Sequence, residues 1–168
     1  MKTDAIRRLD AAHRSIEETF AMMPDAALAW LKPGDDYAIG GIVIHLIQSL
    51  DGYISTLESL RASGYVDTDG PGEDGAVVDA QLAHARRGLT PDERAATFAE
   101  MRAKQSCLAA LAATADEAQF ASLVAVRYPG DEAPYPTSVA LVVQWMTEHY
   151  AEHVPHADQL FAEWKKAR

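Results

Sequence analysis

Residues 137–166 read TSVALVVQWMTEHYAEHVPHADQLFAEWKK. Val139, Val142, Met146, Leu160 and Trp164 fall on one face at helical spacing, the stripe that an amphipathic helix turns toward a core. Positions 149, 153 and 156 lie on the same inward seam, and all three are histidine. Thr137 or Ser138 supplies a capping oxygen, so the spacing predicts a helix from there to about Lys166. A helix of that length buries its seam only against other helices of comparable length, which sets the search for partners in the rest of the chain.

Three such partners are legible. Between Asp4 and Met23 the residues Ile6, Leu9, Ile16, Phe20 and Met23 recur at steps of three and four, with His13 filling a remaining seam position. Pro24 and Lys32-Pro33-Gly34-Asp35-Asp36 break that pattern, leaving a connection around Trp30 with one or two turns of helix. A second helix is expected from about Tyr37 to Ala62, capped by Asp35 or Asp36, with Ile39, Val43, Leu46, Leu50, Tyr53, Leu57 and Leu60 as its stripe. Beside that stripe runs a row of Ile42, His45, Ser49 and Gly52, whose small members leave room for a cavity next to His45. Thr90-Pro91-Asp92-Glu93 combines a threonine cap, a first-turn proline and a glutamate at the third position, a helix start that carries on to about Thr114.

The remaining segments are connections. Residues 63–74, with three glycines and a proline, are expected as a long exposed loop, and residues 76–87 as a short helix before Gly88. Glu117 to Tyr135, with the run Leu123-Val124-Ala125-Val126, is expected as a crossover holding a short extended piece. The fold class is therefore all-α: a four-helix bundle with a long crossover loop and a short extra helix, in one domain over residues 1–168.

Composition narrows the function classes. At 48% apolar and 24% charged residues the chain is globular, and 168 residues suffice to bury roughly 68–70% of the unfolded surface. Asp plus Glu outnumber Lys plus Arg by 25 to 15, a formal charge of −10 that repels polyanions and anionic lipid, so neither nucleic acid nor a membrane is an expected partner. Cys107 stands alone, which excludes an intramolecular disulfide and leaves it to pack as a small buried hydrophobe. The charged N-terminal stretch MKTDAIRRLDAAHR does not read as a signal peptide, and a cytoplasmic location is expected.

The histidines carry the chemistry. Burying an imidazole without partners for its nitrogens costs about 1–3 kcal/mol, so several on one core-facing seam call for a shared partner. A divalent metal is such a partner: His149 and His153, at i and i+4, project nitrogens toward one point, and His45 can reach it from the second helix. The alternative is that these side chains mark a partly exposed helix end or hydrogen-bond to Asp51, Glu148 or Glu152, carboxylates that beside a metal would orient ligand imidazoles. His13 reads as a hydrogen-bonded core histidine, His84 as exposed, and Trp30, Trp145 and Tyr150 as packing residues near the site. Pro155 is expected to kink the last helix, which would let His153 and His156 exchange roles.

Two stretches, YAIGGIVIHLIQSLDGY at 37–53 and WMTEHYAEHVPHADQLFAEW at 145–164, resemble the DinB-like superfamily of helix bundles, which includes the DinB/YfiT-type metal-dependent proteins. The resemblance extends over nearly the whole chain in helix order and length. It implies that His45, His149 and His153 bind a divalent ion, zinc or nickel, with water in the open positions. His156 stands where many relatives carry glutamine or another polar residue, so it is a secondary ligand candidate or a group behind the ligands. By resemblance the activity is that of a thiol S-transferase acting with a low-molecular-weight thiol, or a hydrolase, in a homodimer; the catalytic group would be metal-activated water or thiol. Many members have no demonstrated reaction, and the alternative is a non-catalytic bundle that binds metal or a small ligand.

Overall fold

The computed structural model describes residues 1–72 and 74–168. The first amphipathic stretch forms α1 (Lys2–Ala21), burying Leu9, His13, Ile16 and Phe20, and Pro24 starts the short α2 (Asp25–Leu28). The helix carrying His45 is α3 (Gly41–Ala62), followed by strand β1 (Thr68–Asp69) and α4 (Gly75–Arg87). Next come α5 (Pro91–Thr114), α6 (Glu117–Ala121), strands β2 (Val124–Arg127) and β3 (Tyr135–Thr137), and finally α7 (Val139–Lys166). The four long helices α1, α3, α5 and α7 form the four-helix bundle: α7 lies between α1 and α3, and α5 closes the ring by packing on α3 and α1.

Local chemistry explains the best-defined ends. At Thr90 the side chain accepts from the backbone N–H of Glu93 while the Glu93 carboxylate accepts from the backbone N–H of Thr90, the reciprocal cap expected from the sequence. Ser138 caps α7 by accepting from Leu141 N–H at 3.1 Å. The α3 stripe is buried at Val43, Leu46, Leu50, Leu57 and Leu60, as is Ile39 just before the helix, while Tyr53 is only partly covered.

Three expectations shift. The helix expected from Tyr37 begins at Gly41, and neither Asp35 nor Asp36 caps it. Its approach is fixed instead by long-range backbone bonds: Ala38 N–H donates to Ala85 C=O, Ile39 N–H to Trp30 C=O, and Gly40 N–H to Leu28 C=O. These bonds tie the entrance of α3 to α2 and α4, while the first-turn donors that a capping side chain would otherwise take, Ile42 and Val43 N–H, bond to the Ile39 and Gly40 carbonyls. In the 63–74 segment, Thr68 and Asp69 pair in parallel with Val126 and Arg127, so part of the expected loop is an edge strand; residue 73 of that segment lies outside the described residues. The crossover holds more than one extended piece, because β2 also pairs antiparallel with β3, giving a three-stranded sheet in the order β1-β2-β3. Among the described residues no helix is long and apolar enough to cross a membrane.

Candidate metal centre

His45 enters on the second turn of α3, and His149 and His153 come from successive turns of α7, where the two helices face each other. The Nε2 atoms of His45 and His149 lie 2.9 Å apart, and those of His149 and His153 lie 3.0 Å apart. One ring nitrogen from each of the three residues lies within 4.8 Å of the other two. The structure thus brings together the three histidines that the sequence singled out.

Electrostatics keep these rings neutral. Burial, reinforced by the His149 and His156 imidazoles, holds His45 down at about 4. Burial, with His149, His45 and His156 behind it, holds His153 down at about 3. His149 is also lowered by burial, against the opposing pull of the Glu152 carboxylate. Each neutral imidazole carries one N–H and one lone pair, so the His149 Nε2 has either a proton or a lone pair to share between two neighbouring nitrogens. Two short contacts on one such atom are poorly served by a single proton, whereas three lone pairs converging on one point suit a divalent cation of the imidazole-preferring kind. The donor set fits the metal that the sequence implies.

The low values of His45 and His153 give the metal-free protein a defined acid limit. In the unfolded chain both rings take up protons near pH 6.5, but in the fold they resist until about 4 and about 3. The unfolded state therefore binds more protons between those limits, and stability is fullest above pH 6.5 and falls as the pH drops through that window. Chemical denaturation of chelator-treated protein between pH 7.5 and 4 is expected to show this loss, and His45→Phe should flatten it; an unchanged profile in the variant would assign the loss elsewhere.

The other candidates sit as follows. His156 is not part of the triad: its Nδ1 is 3.4 Å from Nδ1 of His153, and its Nε2 faces the Asp35 carboxylate at 3.6 Å. Helix α7 extends through Pro155, and it is His153 rather than His156 that presents Nε2 to His149. His13 is buried on α1 and meets the Tyr150 ring edge-on at 5.5 Å. It is a core histidine, but the expected hydrogen bond is missing: Glu17 is 3.8 Å from its Nδ1, and among the described residues no group pairs with its Nε2.

Asp51 pairs with Lys104, and Glu148 accepts from Gln144 at 2.7 Å, so neither of them orients a ligand ring. Tyr150 is buried and donates to Gln105 Oε1 at 3.1 Å, and Trp145 lies one turn before His149 between Tyr53 and Tyr135. Trp30 packs half-buried against the core. Two expectations are corrected. Cys107 is exposed rather than buried, because the buried line of α5 passes through Phe98, Met101, Gln105, Leu108 and Ala112 and leaves position 107 outside. His84 is half-buried rather than exposed, with its Nε2 3.8 Å from Glu93.

The ring of Tyr37 stacks on His45 with centroids 4.7 Å apart and planes at 19°. Neither this contact nor the approach of Asp35 was visible in the sequence, where Tyr37 reads as the start of the second helix and Asp35 as a possible cap. A Cβ added at Gly52, two turns beyond His45 on α3, would meet no atom within 4 Å.

A family model described as the DinB superfamily matches residues 8–157, which hold the whole triad. The chain belongs to the DinB superfamily.

Solved structures agree in fold with this DinB-superfamily chain. YfiT from Bacillus subtilis, described as a probable metal-dependent hydrolase with an unusual four-helix bundle topology, superposes with a TM-score of 0.73 at 18% identity, over 98% of this chain and 87% of its own. A conserved protein from Enterococcus faecalis gives 0.66 at 17% identity over 97% and 98%. The mycothiol-dependent maleylpyruvate isomerase gives 0.69 at 8% identity over 92% of this chain, which spans only 59% of the isomerase. No curated protein matches the chain in sequence.

Proposed function

We propose that this DinB-superfamily chain is a divalent-metal-dependent enzyme acting on a small molecule, with the ion held by Nε2 of His45, His149 and His153. One observation carries the reading: three neutral imidazoles from two helices, His153 buried and His45 and His149 half-buried, turn their nitrogens to one point, with 2.9 and 3.0 Å between neighbouring atoms. A zinc or nickel ion bound there supplies Lewis acidity and lowers the pKa of a thiol or water brought to it. The chain itself adds three things to that chemistry. It places no carboxylate in the triad, so the charge of the ion is left for the substrate to meet. It stacks Tyr37 against His45, which holds that ring in place and shields one face from water. It leaves space free at Gly52, two turns beyond His45 on α3, where a substrate can lie.

The substrate class is a low-molecular-weight thiol transferred to an electrophilic acceptor, with hydrolysis as the nearest variant. The mycothiol dependence of one structural neighbour and the description of another as a probable hydrolase support these two choices. The same reading takes residues 1–168 as one domain, since all four long helices feed the core against which the triad is set. The test is turnover of thiol with an electrophilic acceptor, and of activated esters and amides, by untagged protein before and after chelation and after zinc or nickel is returned. Activity that disappears with the metal and returns with it is expected. Equal turnover by the metal-free protein would overturn the reading, and stoichiometric metal with no turnover of either class would favour a metal-binding bundle without catalysis.

A further inference from the structure

Two side chains outside the triad, Asp35 and His156, form with the far side of the His153 ring a line that ends at the candidate metal centre. Nε2 of His156 is 3.6 Å from a carboxylate oxygen of Asp35, and Nδ1 of His156 is 3.4 Å from Nδ1 of His153. The other nitrogen of His153, its Nε2, is the one that meets His149. Asp35 is fixed for this contact. Lys32, three residues before it, pairs with Glu163 of α7 at 3.0 Å; Asp36, just after it, lies 3.6 Å from Arg86; and Tyr37 stacks on His45. The connection between α2 and α3 is thereby strapped over α7 beside the triad.

Proton positions along this line follow from donor and acceptor inventories. A carboxylate only accepts, so Asp35 favours the N–H of His156 on the nitrogen facing it, Nε2. A neutral His156 then has its lone pair on Nδ1, which faces Nδ1 of His153. That lone pair favours the N–H of His153 on Nδ1, and the remaining lone pair of His153 falls on Nε2, the atom turned to His45 and His149. Every proton choice is set by the one before it, beginning from a group that has no choice.

We infer that Asp35 and His156 are positioning residues that hold His153 in the tautomer able to bind the ion. His156 is then not a fourth ligand. This rests on the proposed metal role of the triad, but the tautomer can be read without any metal. A partner behind a ligating imidazole is worth about 10–100-fold in metal affinity in general, and that is the loss expected when the line is cut.

The experiment uses full-length protein at pH 8, above the ordinary histidine range, with two readouts. The first is long-range ¹⁵N–¹H correlation of the ring nitrogens in metal-free protein, where His153 should show its proton on Nδ1. The second is zinc affinity by competition with a chromophoric chelator. His156→Leu is expected to weaken zinc about 10–100-fold, whereas His156→Gln, whose amide oxygen still accepts from His153 Nδ1, should retain most of the affinity. Asp35→Asn no longer fixes an acceptor opposite His156, since its amide can present either oxygen or N–H; it should loosen the proton line and lower affinity in the wild-type background but not in His156→Gln. Thermal melting identifies any variant that has lost its fold, and the leucine–glutamine comparison keeps the test open if Asp35→Asn is unstable. A wild-type His153 protonated on Nε2, or equal affinities for the leucine and glutamine variants, would overturn the inference. A wild-type protein that shows the expected tautomer yet binds no zinc would leave the proton line standing and overturn the metal role.

Discussion

His149→Ala is expected to weaken metal binding by about 10²–10³ and to take away most of the stabilisation that the metal gives. His149 is the middle member of the triad, with its Nε2 2.9 Å from that of His45 and 3.0 Å from that of His153. Structural zinc sites with four ligands bind with about 10–16 kcal/mol, or about 3–4 kcal/mol per ligand, so one lost imidazole corresponds to about 10²–10³ in affinity. At a metal concentration about 1,000 times Kd, the wild-type fold gains about 4 kcal/mol, which for a chain of this length raises Tm by about 8–16 °C. In the variant that rise should shrink to a few degrees or vanish. The metal-free variant should melt no lower than metal-free wild type near neutral pH, because the deletion takes away a half-buried ring whose neighbours are also imidazoles. Elemental analysis and melting curves with and without zinc or nickel check both halves. Wild-type protein that contains no stoichiometric metal and does not respond to it would remove the proposed site.

How far the sequence reaches is clearest along α7. Its length, its Ser138 cap and its inward histidines were all legible, because a long amphipathic helix writes its buried face into the spacing of its residues. Thr90 and Glu93 announce α5 for a similar reason: the motif is completed by atoms three residues apart. What lies off these local periods is harder to read. The strap with Asp35 and Tyr37 acts on α7 and α3 through contacts made by the fold, and no residue spacing encodes them. The pairing of Thr68 with Val126 joins segments nearly sixty residues apart, so the first of them looks like loop. Cys107 misleads in another way. Its residue type favours the interior, but the period of α5 turns that position outward.

The entrance of α3 shows how such a non-local constraint reaches the candidate site, and it supports the second large prediction. Gly41→Ala is expected to destabilise the fold by about 3 kcal/mol, the upper part of the range for overpacking, and to lower Tm by about 6–12 °C. A Cβ at position 41 would stand 1.8 Å from the Ala85 carbonyl oxygen and 2.6 Å from its carbon. Both are backbone atoms, so no rotamer change relieves the clash, and the same oxygen already accepts from Ala38 N–H. Gly88, at φ 75° and with its Cβ position 2.2 Å from the Leu28 carbonyl oxygen, closes the other side of this crossing. Relief at position 41 therefore requires α3 and α4 to move apart.

Gly52→Ala is the matched control: it lies in the same helix with nothing within 4 Å of the added carbon, and it should gain up to about 1 kcal/mol from helix propensity. Melting of the two metal-free variants separates them, and a Gly41→Ala protein as stable as Gly52→Ala would refute the close-packing account. Because His45 follows Gly41 by four residues, any separation at the crossing displaces its ring relative to His149 and His153. Gly41→Ala should therefore weaken metal binding without touching a ligand, which makes the tight passage of one helix over another's carbonyl part of what assembles the triad.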